Sequence, residues 1–345
     1  MKIIIDAMGG DNAPGEIVRG AALAAKELKA SVILVGNESI IRRELGACGD
    51  QNLIGAGLEL VHADEVITME DDPFDVVRKK KKSSMAVGLR MLADGKGDAF
   101  VGAGNTGALF TGATMIVRAC KGIRRAAIAT VIPFERPMLL LDSGANIVVT
   151  AEYMEQFAFM GAIYMEKICG VKNPAVGLLN NGTEAHKGTP VYVETHELLA
   201  RSPSLNFVGN VEGKDLPKGK CDVLVADGFT GNVTLKLVEG MGAFMMKKIK
   251  SLFLSNIATK MTALFMKKQF MQLKKDFDAS EYGGSPFLGI SKPVIKAHGS
   301  SDALAIKNAV RQAMAYIDTG VTEEIARRAE KYVKRKPGDT EERSE

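Results

Sequence analysis

The stretch from Cys221 to Lys236, CDVLVADGFTGNVTLK, decides the fold class of this chain. Its apolar run from Val223 to Ala226 is typical of a buried strand, and Asp227 stands where that strand ends. Small and polar residues follow, and helical spacing of apolar residues starts at Val233, with Asn232 as the expected helix cap. A strand, a glycine-bearing turn and a helix in this order predict an α/β fold. By itself this segment fits an ordinary strand–helix connection, and the same geometry also suits an anion site at the strand end.

The same order of strand, polar turn and helix recurs along the chain. Predicted strands run into the turns Asp6 to Pro14, Gly102 to Gly107, Asp142 to Asn146, Asn180 to Gly188 and His298 to Asp302. Because parallel strands present their carboxyl ends at one edge of a sheet, such turns can converge on one ligand. We therefore expect the turns after Lys2–Asp6, Asp98–Val101 and Val294–Ala297 to lie within one cleft.

Composition places the chain among soluble globular proteins. It has 345 residues, 46% of them apolar and 25% charged, and its net charge of +4 is too small to predict nucleic-acid binding. The four cysteines stand far apart without metal-ligand spacing, so no metal is expected and the thiols are expected to be reduced. We expect a cytoplasmic protein without a signal peptide, with one large α/β unit over 1–334 and a disordered tail over 335–345.

The turn from Gly102 to Gly107, GAGNTG, matches the glycine spacing of dinucleotide-binding sites. That type of site also needs an acidic residue about 20 positions later to bind the ribose. The corresponding region, Ala126 to Val131, is apolar apart from one threonine and contains no acid. A phosphate cradle without nucleoside contacts fits this turn better.

Two other turns contain candidate catalytic side chains. His186 and Lys187 are the only adjacent His-Lys pair, and they fit either a surface loop or a contact to a thioester or phosphate. The turn with His298, Ser300 and Ser301 precedes a predicted helix that either serine would cap, which is typical of an oxyanion or phosphate site.

The segment 240–278 differs from the rest of the chain. From Phe244 to Lys275 it contains eight lysines and no acid, with apolar residues at helical spacing. A helical hairpin of this kind is typical of a membrane-surface element or of a helix that binds a partner, and it can also pack on its own core. The absence of acids favours an interaction surface. The basic run Arg78 to Lys82 fits a solvated helix face, or a contact to an anionic substrate or acidic partner.

Taken together, the turns resemble those of one family. The motifs that carry the resemblance are DAMGGDNAP (6–14), RKKKKSSM (78–85), GAGNTGAL (102–109), DSGAN (142–146), VADGFTGN (225–232), YGGSPFLG (282–289) and AHGSSDALAIKNA (297–309). In this order they resemble the bacterial acyl-carrier-protein:phosphate acyltransferases of phospholipid synthesis. The resemblance extends from Met1 to about Tyr316.

The resemblance implies a layered α/β fold similar to isocitrate and isopropylmalate dehydrogenases and to phosphotransacetylase. It implies transfer of a long-chain acyl group from acyl-acyl-carrier protein to orthophosphate, without a cofactor. It also implies a homodimer whose 240–278 hairpin docks on the membrane, which makes the protein cytoplasmic and peripherally membrane-associated. The acyl phosphate would pass to a glycerol-3-phosphate acyltransferase, a further possible partner. The alternatives are a dehydrogenase of the same fold and a membrane-surface scaffold.

Phosphate is itself a nucleophile, so the expected mechanism is direct attack on the thioester without a covalent enzyme intermediate. The enzyme then has to hold phosphate and stabilise the oxyanion. Lys187 is the candidate for that charge, His186 or His298 the candidate acid, and Asp227 an orienting group. The expected substrate-binding and phosphate-binding residues, which lie in the polar turns, are Asp6, Gly9, Gly10, Asn12, Gly104, Asn105, Thr106, Asn146, Asn232, Ser285 and Ser300.

Overall fold

The computed structural model of the chain describes residues 1–255, 266, 269 and 283–335. By its internal contacts the chain forms two compact units. Unit 1 comprises Met1–Ala129, Phe159–Lys172 and Tyr282–Glu345, and unit 2 comprises Thr130–Ala158 and Asn173–Glu281. That they make up one large α/β unit, as the sequence suggests, stays a prediction. The predicted hairpin beyond residue 255 and the predicted tail over 336–345 lie outside the described residues.

The strands and helices alternate along much of the chain. The strands are β1 (Lys2–Asp6), β2 (Ser31–Gly36), β3 (Leu58–His62), β4 (Ala99–Gly102), β5 (Ala127–Ile132), β6 (Met138–Leu141), β7 (Ala175–Asn180), β8 (Asn206–Glu212), β9 (Val223–Val225), β10 (Ser285–Leu288) and β11 (Val294–Lys296). The α-helices are α1 (Gly15–Glu27), α2 (Glu38–Ala47), α3 (Ser84–Ala93), α4 (Thr106–Gly112), α5 (Ala151–Lys167), α6 (Pro190–Arg201), α7 (Gly228–Phe253), α8 (Ala303–Asp318) and α9 (Val321–Arg335).

The sheet of unit 1 has the strand order β3-β2-β1-β4-β11-β10-β5. The strands β3, β2, β1, β4 and β11 run parallel to one another. The strand β10 runs antiparallel to both β11 and β5. Ile3, Ile4 and Ile5 of β1 are fully buried, as expected for a parallel strand covered on both faces. The parallel order places the carboxyl ends of β1, β4 and β11 side by side.

Helices α1 and α8 cover one face of this sheet and pack closely on each other. A Cβ atom on Gly20 of α1 would lie 2.5 Å from Cβ of Ile306 on α8. Only a glycine allows this approach, so Gly20 lets α1 and α8 pack with their axes close together. The turns that precede both helices therefore meet at the same edge of unit 1.

The sheet of unit 2 contains the parallel strands β6-β9-β7-β8 in this order. Leu140 and Leu224 are fully buried in its core with Leu179 and Val211. The strand β9 therefore occupies the centre of the sheet, and its carboxyl end leads directly into α7.

Two predicted helix caps are wrong. Helix α7 begins at Gly228, not near Val233, because the carboxylate of Asp227 accepts hydrogen bonds from the backbone N–H groups of Phe229 and Thr230. Asn232 thus lies inside the helix. Helix α8 is capped by Asp302, whose side chain accepts from Ala305 N, so neither of the two preceding serines is the cap. In both cases a carboxylate, a strong acceptor, occupies the position before the helix.

Candidate active site

Three strand-end turns of unit 1 are in direct contact. The N–H of Asp11 donates to the carbonyl of Gly299 at 2.8 Å. The side-chain amide of Asn12 donates to the carbonyls of Ser300 and Ser301, which are 288 and 289 residues away in the chain, at 3.0 and 3.3 Å. These bonds join the turn after β1 to the turn after β11.

The turn after β4 completes the cluster. A Cβ atom on Gly10, whose φ is +120°, would lie 3.0 Å from Cβ of Ala103 and 3.2 Å from the carbonyl oxygen of Gly299. The Cα of Gly104 would similarly lie 2.9 Å from a Cβ on Gly9. The glycines let three backbone segments touch, which a side chain would prevent. The predicted convergence of these three turns is confirmed.

The carboxylate of Asp6 is hydrogen-bonded to the backbone of the turn after β1. Asp6 is almost fully buried, and its Oδ1 accepts from Met8 N at 3.0 Å. Burial raises the pKa of the Asp6 carboxyl, and the N–H groups of Met8 and Gly9 and the charge of Lys296 only partly oppose this rise. Asp6 therefore shapes the turn and has little surface left for a ligand.

Lys296 belongs to this cluster, although we did not predict it from the sequence. Only 8% of its surface is exposed, and its Nζ donates to the carbonyls of Ala103 at 2.8 Å and Ala297 at 2.6 Å. Burial lowers the pKa of Lys296 to about 8, while the charges of Asp11 and Asp6 act in the opposite direction. The signal in the sequence was a lysine inside the apolar strand segment VIKA, because burying a charge costs free energy unless the charge is paired or hydrogen-bonded.

The exposed His298 has a defined arrangement. Its Nδ1 lies 2.9 Å from Oγ of Ser300 and accepts from the N–H of Ser300 at 3.3 Å. Since Nδ1 is an acceptor, the neutral ring carries its proton on Nε2, which is the nitrogen able to donate to a substrate. The predicted pair His298 and Ser300 is thus held as one group.

Three other predicted residues of unit 1 lie in differing surroundings. The side chain of Asn105 accepts from Ala108 N and donates to three carbonyls in the segment 68–71, so it is committed to positioning α4 and that segment. Thr106 is the half-buried first residue of α4. Ser285 lies in β10 and pairs in the ladder with Lys296. Their predicted contacts with substrate stay predictions.

In unit 2, the turn Asp142–Asn146 packs against the start of α7. The N–H of Gly228 donates to the carbonyl of Asn146 at 2.7 Å. A Cβ atom on Gly231 would lie 1.9 Å from the carbonyl oxygen of Asp142, so the first turn of the helix fits here only with a glycine. Asn232 of α7 lies next to Gly144. The structure therefore brings the predicted residues Asn146, Asp227 and Asn232 together.

Asp227 is fully engaged within unit 2. Besides its two cap bonds, its Oδ2 accepts from the hydroxyls of Tyr192 at 2.6 Å and Thr230 at 2.7 Å. Burial raises the pKa of the Asp227 carboxyl, but these hydrogen bonds outweigh burial and leave the pKa below its ordinary value. An ionised carboxylate with this many donors orients Tyr192 and the first turn of α7. Its predicted role in orienting catalytic groups stays a prediction.

His186 and Lys187 occupy a turn that is anchored through its backbone. Asn180 Nδ2 donates to the carbonyl of Lys187 at 3.0 Å, and Asn210 Nδ2 donates to that of Glu184 at 2.8 Å. His186 is exposed and Lys187 half-buried, and in the described part of the chain neither side chain makes a hydrogen bond. The backbone of the turn is therefore held in place, and the predicted contacts of His186 and Lys187 with substrate stay predictions.

The fold of the chain is shared with solved phosphotransacetylases. It is similar to the phosphotransacetylase of Streptococcus pyogenes, with a TM-score of 0.65 and 19% identity over 92% of this chain and 94% of that one. It is also similar to the EutD phosphotransacetylase of Staphylococcus aureus, with a TM-score of 0.59 and 16% identity over 91% of this chain and 94% of that one. The protein is thus an α/β protein of the phosphotransacetylase-like fold class, which confirms the predicted fold.

Sequence comparison gives the family. A model described as "Fatty acid synthesis protein" matches residues 1–324. The phosphate acyltransferase of Acetivibrio thermocellus is 44% identical over 94% of this chain and 95% of that protein. The phosphate acyltransferase of Anoxybacillus flavithermus is 45% identical over 94% of this chain and 97% of that protein. The chain belongs to the phosphate acyltransferase family, and it is an acyltransferase of lipid synthesis.

Proposed function

We propose that the protein transfers a long-chain acyl group from acyl-acyl-carrier protein to orthophosphate and so produces acyl phosphate for glycerophospholipid synthesis. The observation that carries this proposal is the contact of three strand-end turns in unit 1, which belong to a phosphate acyltransferase chain. Glycine-rich turns before helices α1, α4 and α8 supply backbone N–H donors, which suit an oxyanion of phosphate.

The proposed reaction is a direct acyl transfer. A phosphate oxygen attacks the thioester carbonyl carbon, a C–O bond forms, and the C–S bond breaks as the thiolate leaves and takes up a proton. Phosphate needs no activation by a covalent step, so the enzyme contributes orientation and charge stabilisation. Asp227 is an unsuitable nucleophile, because its oxygens already accept four hydrogen bonds.

The proposal assigns a role to side chains within each unit. In unit 1 the turns that contain Gly10, Asn12 and Gly104 take the phosphate, and the imidazolium form of His298 is a candidate donor of its Nε2 proton to the thiolate. Unit 2 contains its own candidates, namely Lys187 for a stabilising charge and His186 for an acid. These candidates share one feature. Among the described residues, neither Nε2 of His298 nor the side chains of Lys187 and His186 form a hydrogen bond.

Helix α7 supports the proposed docking on a membrane surface. Within the 240–278 segment, Phe244, Met245 and Leu252 are exposed, and the lysines 247, 248 and 250 stand among them. Apolar side chains next to cations suit a surface of anionic lipids, where each basic residue contributes about 1 kcal/mol. Among the described residues, no helix is both long and apolar enough to cross a bilayer.

The earlier part of α7 supports the proposed homodimer. Phe229, Val233 and Leu237 recur at intervals of four residues and are each more than half exposed. Such a continuous apolar stripe on a helix is typical of a surface that a partner covers. We propose a second copy of this chain as the partner there, and a membrane-bound glycerol-3-phosphate acyltransferase as the consumer of the product.

The assay for the proposed function uses the full chain with palmitoyl-acyl-carrier protein and orthophosphate. Acyl phosphate is trapped as the hydroxamate, and free thiol is measured in parallel. We expect the two products in equal amounts, and none without phosphate. Palmitoyl-coenzyme A serves as the control donor and is expected to react more slowly. Release of thiol without acyl phosphate would make the protein a thioesterase and overturn the proposal.

A further inference from the structure

Lys296 is a buried ammonium group that the proposed chemistry does not yet use. Its Nζ lies under the two turns that follow β4 and β11, because it donates to the carbonyls of Ala103 and Ala297. An ammonium group has three N–H donors. Within the described part of the chain, the third donor of Lys296 has no acceptor, although only 8% of the residue is exposed to solvent.

A buried charge without full hydrogen bonding costs free energy, so its presence calls for a compensating group. Asp6 and Asp11 are the charged groups that face Lys296. Asp6 is itself buried and is engaged by the N–H groups of Met8 and Gly9, while Asp11 is exposed. Neither carboxylate forms a hydrogen bond with the ammonium group, so the compensation within unit 1 is incomplete.

The turn after β1, which packs on the turns after β4 and β11, has free backbone donors. The N–H groups of Gly10 and Asn12 donate to no acceptor among the described residues, whereas those of Asp11 and Ala13 are bonded. A Cβ atom on Gly10 would lie 3.0 Å from Cβ of Ala103, whose carbonyl accepts from Lys296, and 3.2 Å from the carbonyl oxygen of Gly299, two residues after Ala297. Free backbone N–H groups in a turn near a buried cation are donors that an anion can use.

From this geometry, and resting on the proposed function, we propose that Lys296 binds the orthophosphate substrate. Its third N–H donates to a phosphate oxygen, while its other two donors hold the turns after β4 and β11 in the position that the anion requires. The Asp6 side chain keeps the turn after β1 in place. Lys296 would thus be a phosphate-contacting residue of the reaction.

The test is isothermal titration calorimetry of the protein with phosphate. No acyl donor is present, so the measured affinity does not depend on turnover. Lys296→Met keeps the length of the side chain and removes its charge and donors. We expect it to weaken phosphate binding by about tenfold or more, as for the loss of a hydrogen bond to a charged group. Lys292→Met, a half-buried lysine of the same unit without a described partner, is the matched control and should bind phosphate normally.

Steady-state kinetics add a measurement that a purely structural role would not affect in the same way. In Lys296→Met the KM for phosphate should rise by about tenfold, while the KM for the acyl donor stays unchanged. In the wild type, phosphate affinity should fall as the pH rises through about 8, because the ammonium then loses its proton. Lys296→Arg, which stays charged, should retain binding above that pH.

A measurement on the wild type decides the matter if Lys296→Met does not fold. The Lys296 side chain is followed by carbon-13 NMR, with its signal assigned from Lys296→Arg. Added phosphate should raise the pKa of Lys296 above about 8, because an anion favours the charged form. An unchanged pKa, or normal phosphate affinity in a folded Lys296→Met, would overturn the inference. If Lys296→Met loses phosphate binding but the wild type makes no acyl phosphate, only the proposed function is refuted.

Discussion

The hydroxyl of Tyr192 donates to the carboxylate of Asp227 at 2.6 Å and also accepts from the N–H of Asp227 at 3.2 Å. One tyrosine on α6 therefore fixes the residue that follows β9 by two positions and caps α7. The same carboxylate holds the first turn of the helix, so the position of Asn232 depends on it. An orienting role for Asp227 leads to a prediction that separates stability from chemistry.

Replacing Asp227 by alanine should lower the free energy of unfolding of the protein by about 1–2 kcal/mol, as for loss of a helix cap. The variant Asp227→Asn retains an oxygen acceptor and should keep most of the stability that the alanine variant loses. Urea denaturation followed by circular dichroism measures both variants. Tyr192→Phe, which removes one hydroxyl, is the control for the tyrosine contact and should cost less than the alanine variant.

The depressed pKa of Asp227 also predicts a pH dependence. A carboxylate whose pKa is lower in the folded state stabilises the fold above its unfolded pKa of about 4, and this contribution disappears as the pH falls through the folded value. Asp227→Asn should therefore lose less stability than the wild type between about pH 4 and acid unfolding. Parallel acid-denaturation curves for the two proteins would contradict this assignment.

Two glycines of α7 give a matched pair. A Cβ at Gly231 would meet the Asp142 carbonyl at 1.9 Å, whereas a Cβ at Gly240 would have no atom within 4 Å. Gly231→Ala should yield protein with disrupted packing in unit 2, seen as a strongly lowered melting temperature. Gly240→Ala should instead stabilise the helix by about 1 kcal/mol, the difference in helix propensity. Equal effects at the two sites would show that the contact at Asp142 is unimportant.

We expect Lys187 to stabilise negative charge in the reaction and to contribute little to the stability of the fold. Lys187→Ala should lower acyl phosphate formation by about tenfold or more, the low end for loss of a positioned electrostatic contact. Its melting temperature should stay near that of the wild type, because the turn is anchored through the backbone carbonyl of Lys187 and not through its side chain. Lys220→Ala, a lysine of the same unit that pairs with Asp215, is the control for general loss of charge. Full activity of a folded Lys187→Ala protein would remove this residue from the site.

The exposed face of α7 predicts two separable losses. Phe244→Glu with Leu252→Glu should abolish salt-sensitive binding to anionic liposomes, because the acidic groups oppose the surface charge. Acyl phosphate formation from soluble donor should continue. Val208→Glu, at an exposed apolar residue of β8, should bind like the wild type.

Sizing experiments on the same proteins test the dimer. Leu237→Glu should shift the protein from dimer to monomer, while the Phe244 and Leu252 changes leave the dimer intact. If Phe244→Glu with Leu252→Glu gives monomers and the wild type ignores liposomes at low salt, this face belongs to the dimer and membrane docking fails.

The sequence predicted strands well where burial on both faces left an apolar run. Lys2–Asp6 has the predicted bounds, and Val223–Val225 is one residue shorter than expected. Strand ends could be recognised because a glycine or a polar residue follows the apolar run. The convergence of the unit 1 turns followed from the order of parallel strands.

Other features depend on tertiary contacts that a sequence does not display. Asp227 and Asn232 were both reasonable caps, and the close approach of the Asp142 carbonyl to Gly231 decides between them. The ammonium of Lys296 could not be placed, since its partners Ala103 and Ala297 are neighbours only across the sheet edge. The side-chain commitments of Asn105 likewise arise from a segment more than thirty residues away.

The most direct test of the central claim is the product formed from orthophosphate labelled with oxygen-18 at every position. Direct attack on the thioester predicts acyl phosphate that retains every labelled oxygen, read by mass spectrometry. It also predicts no exchange of acyl groups between acyl-carrier proteins when phosphate is absent. Loss of one labelled oxygen from the acyl phosphate, or acyl exchange without phosphate, would contradict direct transfer to phosphate.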